Sequence, residues 1–118
     1  MSYSGRVTAQ ECSSRLTAIG DSLYVIGGKW KLRVIVALRE GNKRFNEIQR
    51  AVEGISARVL SSELKELEMN GFVKRIVHDQ TPVIVEYQLT EYADTLGDVL
   101  TSLADWGAMH RNKIRSER

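Results

Sequence analysis

The chain has one cysteine, two histidines and no long apolar run among its 118 residues. With Cys12 alone, neither an intrachain disulfide nor a cysteine-rich zinc site can form. His78 and His110 have no partners at metal-ligand spacing, so we assign neither a metal role and predict no cofactor. No segment approaches the roughly 18 consecutive apolar residues that a membrane-spanning helix needs.

The first residues, MSYSGRVTAQECSS, contain no apolar segment followed by a cleavage site, as a secretory signal would. We therefore expect a cytoplasmic protein. Hydrophobic residues make up 42% and charged residues 27% of the chain, which is typical of one globular domain. The net charge of +2 is only mildly basic, so a nucleic-acid function depends on where the basic residues lie.

Apolar residues recur at three- and four-residue spacing in several segments, which predicts a mainly α protein. The predicted helices begin at Ser13 or Ser14, near Lys29, at Arg44, at Ser56 and after Thr90. Residues 1–12 are predicted to be a flexible arm and residues 111–118 a loose basic tail. The domain itself should therefore cover residues 13–110.

Residues 72–78 and 83–89 alternate as two strands joined by a polar turn, which predicts a β-hairpin. Two short helices, separated by Gly54-Ile55-Ser56, precede this hairpin. Helix, turn, helix and hairpin in this order indicate a winged helix-turn-helix, in which the second helix enters the DNA major groove. The predicted fold class is mainly α with a small β-hairpin, flanked by N- and C-terminal dimerisation helices.

The second helix of this unit has two different faces. Its apolar face, with Leu60, Leu64 and Leu67, should turn toward the core. Half a turn away lies a polar stripe whose arginine can bond a guanine edge and whose hydroxyls suit bases or phosphates. Ser56 should cap the helix. A solvated surface is the alternative for this stripe, but the context favours DNA. The candidate groove contacts are Ser56, Arg58, Ser61, Ser62 and Lys65.

Basic residues beside this helix are candidates for phosphate contacts. Lys74 and Arg75 belong to the hairpin and point to opposite faces of their strand. Lys43 and Arg44, with the backbone N–H groups of the helix they precede, should hold another phosphate. Lys31, near Trp30, is either solvated or at a phosphate, whereas Trp30 should anchor the core. Basic residues without interleaved aromatics disfavour single-stranded RNA.

Three segments carry a resemblance to a known family: GGKWKLRVIVAL (27–38), RFNEIQRAVEGISARVLSSELKELEMNGFVKR (44–75) and PVIVEYQLT (82–90). The chain resembles the HxlR family of bacterial winged-helix transcription regulators, which are related to the MarR group. The match covers about residues 12–106. The resemblance implies a homodimer, a double-stranded DNA operator with two half-sites, and a response to oxidants, electrophiles or a small metabolite.

Cys12 is the candidate sensor that this resemblance implies. A cysteine at the start of the first helix can be oxidised or alkylated in the family, and a helix N-terminus favours the reactive thiolate. The chain departs from the family pattern at two positions, because Ser13 replaces a proline and Ala93 replaces a glycine. The alternative is an inert thiol packed under the helix end.

The terminal helices carry more apolar surface than a small domain can cover, which predicts a twofold partner. Such a dimer would set two recognition helices roughly 34 Å apart. Coverage within one chain is the alternative. The candidate interface residues are Leu16, Ile19, Leu23, Leu96, Val99, Leu100, Leu103 and Trp106.

Two other functional classes compete with DNA binding. A winged-helix module that binds another protein would tend to lose the outward basic stripe, which this chain keeps. An enzyme is poorly supported, because no nucleophile–base pair, phosphate-cradling glycine loop or suggestive acid pair is present. We therefore predict a sequence-specific regulator that binds double-stranded DNA.

Overall fold

The computed structural model describes residues 8–117, which form a winged helix-turn-helix with long helices at both ends. The predicted fold class is confirmed. The elements are α1 Ala9–Ile26, α2 Lys31–Arg39, α3 Phe45–Ala51, α4 Ala57–Met69, β1 Val73–His78, β2 Ile84–Leu89, a 3-10 helix Glu91–Leu96 and α5 Gly97–Ser116. No helix in this part of the chain is long and apolar enough to cross a membrane.

The first helix begins earlier than the sequence pattern predicts. The Thr8 hydroxyl accepts a hydrogen bond from the N–H of Glu11 at 3.0 Å, and the Glu11 carboxylate accepts one from the N–H of Thr8 at 3.0 Å. This reciprocal capping satisfies two N–H groups that a helix start leaves free. Residues 8–12 of the predicted arm are therefore cap and helix, while residues 1–7 lie outside the described part of the chain.

The last helix continues beyond the apolar pattern, so the prediction of a loose tail from residue 111 was wrong as far as Ser116. The segment after Met109 contains no glycine or proline to end the helix. Lys113 and Arg115 lie in the last turn, where positive charge interacts favourably with the helix dipole.

The core lies where α2, α3 and α4 meet the start of the hairpin. Val34, Ile35 and Ile48 are fully buried, and the predicted core face of α4 is confirmed because Leu60, Leu64 and Leu67 are buried too. Trp30 packs against this core but keeps part of its surface exposed. Its ring faces the Lys29 ammonium, which lies 4.7 Å from the ring centroid.

The hairpin is tied to the helices at two points. The N–H of Tyr87 in β2 donates to the carbonyl oxygen of Lys43, just before α3, at 2.8 Å. At the other end, the Thr90 hydroxyl donates to the carbonyl oxygen of Gly71 at 2.6 Å. These bonds fix the wing beside α3 and α4, which places its basic residues next to the predicted reading helix.

A 3-10 helix, rather than the predicted α-helix, follows Thr90 and packs against the core. Ala93 and Leu96 of this segment are buried, and the Tyr92 ring stacks on the Phe72 ring at 5.0 Å. Leu96 was predicted in the dimer interface. That prediction was wrong, because Leu96 is only 8% exposed and its side chain packs in the core of its own chain.

Candidate nucleic-acid interface

The turn before α4 sets where the reading helix starts. Gly54 has a φ of +88°, a left-handed conformation that glycine adopts without strain. Ile55 is buried at this turn and anchors it to the core. Ser56 is the N-cap of α4, and its hydroxyl accepts a hydrogen bond from the N–H of Val59 at 3.1 Å. Ser56 therefore has a structural role, because it caps the start of α4.

The outward stripe of α4 is continuous and exposed. Arg58, Ser61, Ser62 and Lys65 follow i, i+3, i+4 and i+7 spacing, and all four side chains are exposed. Within residues 8–117, neither Arg58 nor Lys65 forms an ion pair or a side-chain hydrogen bond. The structure thus brings the four predicted groove residues together, with both cations available to a ligand.

The two glutamates beside this stripe are occupied by a lysine from α2. The Lys31 ammonium lies 2.9 Å from the Glu63 carboxylate and 2.5 Å from the Glu66 carboxylate. Burial lowers the pKa of Lys31, but the hydrogen bonds with Glu66 and Glu63 and the negative charges of both groups together raise it above its usual value. Lys31 is therefore engaged within the chain and does not serve as a free phosphate contact.

The start of α3 differs from the predicted phosphate site. The side chains of Lys43 and Arg44 are exposed, but their backbone N–H groups donate to the Glu47 carboxylate at 3.1 and 3.0 Å. These two bonds, of which the one from Arg44 has the larger effect, hold the pKa of Glu47 below its usual value. A carboxylate therefore occupies the two N–H groups that precede α3, and the side chains of Lys43 and Arg44 stay exposed as phosphate candidates. The glutamate three positions after Arg44 was the sequence signal for this cap.

The basic residues of the wing lie on opposite faces of β1. Lys74 pairs with Gln88 across the hairpin, and Arg75 pairs with Tyr87. Tyr87 packs against the core, so Arg75 extends from the face nearer the helices and Lys74 from the outer face. Both side chains are exposed. The wing therefore offers cations in two directions, as the strand pattern predicted.

Sequence reasoning missed a polar pair in the wing. His78 Nε2 lies 2.7 Å from the Glu86 carboxylate, diagonally across the hairpin, because His78 pairs with Ile84 and Glu86 is two residues further along β2. The contact depends on the strand register, which the sequence does not specify. Among the described residues, no three His, Cys, Asp or Glu side chains are grouped closely enough to hold a metal ion.

The terminal helices expose an apolar surface of the kind the sequence predicts. No residue of α1 is buried, and Leu16, Ile19 and Leu23 are 66%, 55% and 64% exposed. On α5, Val99, Leu103 and Trp106 are 41%, 50% and 59% exposed, while Leu100 packs partly against the core. Cys12 is a free, exposed thiol in the first turns of α1.

Comparison with known proteins agrees with this geometry. Residues 25–115 match the model of the HxlR-like helix-turn-helix family. The HTH-type transcriptional regulator YtcD of Bacillus subtilis (strain 168) is 43% identical over 97 residues, covering 82% of this chain and 77% of that protein.

Two solved structures are also similar. The redox regulator HypR in its reduced form superimposes with a TM-score of 0.76 at 40% identity, covering 84% of this chain and 98% of that one. A MarR-family transcriptional regulator from Enterococcus faecalis V583 gives a TM-score of 0.72 at 37% identity, covering 97% of this chain and 99% of that one.

Proposed function

Because the chain belongs to the HxlR-like helix-turn-helix family of transcriptional regulators, we propose that it binds a double-stranded operator as a homodimer, in the cytoplasm, with α4 in the major groove. The observation that carries this assignment is the stripe of free donors on α4. A helix that buries one face and presents two unpaired cations and two hydroxyls on the other suits the edges of base pairs.

The proposed contacts divide into two kinds. Arg58, Ser61, Ser62 and Lys65 face the groove, where base edges distinguish one sequence from another. The side chains of Lys43, Arg44, Lys74 and Arg75 surround α4 and meet phosphates, which add affinity without sequence information. Ser56 acts by capping the helix that presents the first group.

The homodimer follows from the exposed apolar faces of α1 and α5. A helix without a buried residue, such as α1, gains little stability from its own chain, because most helical stability in proteins comes from packing. A twofold partner would cover both faces and hold two α4 helices at a fixed separation. Each α4 would then read one half-site.

The alternative is a winged-helix module that binds a protein instead of DNA. Retention on duplex DNA that weakens steeply with added salt supports DNA binding, because phosphate contacts release condensed counterions. Retention on duplex DNA that does not change with salt, together with a fragment selection that enriches no sequence, would favour the alternative.

Removing the Arg58 side chain should weaken binding to the selected operator by about 1–3 kcal/mol and relax one base position. Fragment selection followed by fluorescence anisotropy measures both effects. Arg39→Ala removes the same charge from an exposed position at the end of α2 and is the matched control. Unchanged operator affinity in Arg58→Ala would falsify the groove assignment.

Lys74→Ala should weaken binding to all duplexes by similar factors, because its proposed partner is a phosphate. The slope of log affinity against log salt should become less steep by about 0.9 per half-site contact. Titrations at several salt concentrations, with operator and scrambled duplex side by side, provide the measurement. If the loss is confined to the operator, Lys74 contacts a base instead.

An oxidant response through Cys12 stays a prediction. The thiol is exposed and meets the access requirement for modification, and the structural neighbour HypR is a redox regulator. We expect treatment with diamide or a quinone to change operator affinity in the native protein but not in Cys12→Ser. Equal affinity before and after complete thiol modification excludes the sensor role, whereas DNA binding would stand.

A further inference from the structure

We propose that Lys31 is a positioning residue for the reading helix: by bridging Glu63 and Glu66 it fixes how α4 is rotated against α2, and it thereby sets the sequence specificity of DNA binding. This role rests on the proposed operator binding and assigns part of its specificity to a residue outside the groove. It follows from the place of Lys31 in the chain, the geometry of the bridge, and the position of the bridge beside the reading stripe.

Lys31 lies where its own helix is unfavourable for a cation. It is the first residue of α2, at the positive end of the helix dipole, and its side chain is only 13% exposed. Burying an ammonium is costly unless it is paired and hydrogen-bonded. The first turn of α2 contains no acidic residue that could offset these costs. The favourable partners come from α4, so the contact between the two helices is what makes this position suitable for a lysine.

The bridge joins one ammonium to two carboxylates on neighbouring turns of α4. Lys31 Nζ lies 2.9 Å from one oxygen of Glu63 and 2.5 Å from one oxygen of Glu66. The two glutamates are three residues apart, so they lie on one side of the helix. The bonded Glu63 oxygen is buried and, among the described residues, has no hydrogen-bond partner besides this ammonium. Apolar packing is non-directional, whereas a charged contact at two points fixes the rotation of α4 about its axis.

The bridge lies directly beside the reading stripe. Glu66 follows Ser62 by four residues, so the two side chains are neighbours on the helix surface. A rotation of α4 that separates the glutamates from Lys31 therefore also moves Arg58 and Ser62. Recognition of base edges needs side chains held within about 0.5 Å of their bonding geometry. Phosphate contacts from the wing and from the residues before α3 lie on other elements, so loss of the bridge should reduce specific binding more than non-specific binding.

Lys31→Met in the full chain removes the ammonium and keeps most of the apolar stem. We expect the affinity for the selected operator to fall about tenfold or more, and the affinity for a scrambled duplex to fall by no more than about threefold. Fluorescence anisotropy measures both affinities. Their ratio is decisive, because partial unfolding lowers both equally and leaves the ratio unchanged.

Two single variants serve as controls for this ratio. Lys31→Arg should keep it near the native value, because a guanidinium can bond both carboxylates. Lys29→Met removes the same charge from an exposed position two residues away. It should leave the ratio unchanged, because the loss of one surface charge affects all duplexes alike.

A neutral variant separates positioning from charge masking. Lys31→Met combined with Glu63→Gln and Glu66→Gln has no carboxylate here to repel phosphates and no unpaired buried charge. It should therefore fold even if Lys31→Met alone does not, which circular dichroism checks. Because the bridge is missing, we expect its ratio of operator to scrambled affinity to stay about tenfold or more below the native ratio.

The outcomes keep this role apart from the proposed function. A native protein that selects no sequence overturns operator binding, and the role of Lys31 with it. A native protein that prefers its operator, with equal losses on both duplexes in Lys31→Met, overturns the positioning role and leaves operator binding standing. A native ratio in the neutral variant overturns the positioning role too, because Lys31 would then act only by masking the two carboxylates.

Discussion

Leu103→Glu should convert the protein from a dimer to a monomer and reduce its affinity for a two-half-site operator by roughly 10²–10⁴-fold. Leu103 is half-exposed in the single chain, so a glutamate there can remain hydrated in the monomer. In the proposed dimer it lies on the apolar face of α5 that the partner covers, where the new carboxylate would be removed from water. The loss of affinity follows because each α4 must then bind its half-site without the help of the other.

Analytical ultracentrifugation measures the oligomeric state, and anisotropy with one-half-site and two-half-site duplexes measures affinity. The matched control is Met69→Glu, which adds the same charge at an 84%-exposed apolar position on α4 instead of α5. Met69→Glu should remain dimeric. If Leu103→Glu also remains dimeric, α5 does not form the interface and the proposed assembly is wrong.

Leu64→Ala should lower the free energy of unfolding by about 2–5 kcal/mol, since it leaves a cavity under the reading helix. Leu64 is 2% exposed and lies between Leu60 and Leu67 on the buried face of α4. A domain of ordinary stability has only about 5–15 kcal/mol in total, so this single change is a large fraction. DNA binding should weaken as well, because the unfolded fraction rises and α4 loses its support.

Urea unfolding at one fixed protein concentration measures this effect, because the stability of a dimer depends on concentration. Met69→Ala shortens an exposed side chain on the same helix and should change the unfolding free energy by no more than about 0.5 kcal/mol. A similar loss in both variants would mean that helix propensity, rather than core packing, dominates at these positions.

The recognition unit was predictable because its signals are local. The spacing of Leu60, Leu64 and Leu67 identifies the buried face of α4, and the opposite stripe follows from the same helical period. Strand alternation identified the hairpin for a similar reason. The end of α5 was less predictable, because an exposed helix without an apolar partner has no amphipathic signal beyond Met109.

The sequence by itself determined the order of elements, the two faces of α4 and the exposed stripes of the terminal helices, since each depends on a short-range period. Only the tertiary structure decided which charged groups remain free. Lys31 is neutralised by Glu63 and Glu66 because α2 crosses α4, and Leu96 joins the core because the chain turns after the hairpin. Such contacts join elements distant in the chain, so they depend on how the elements pack.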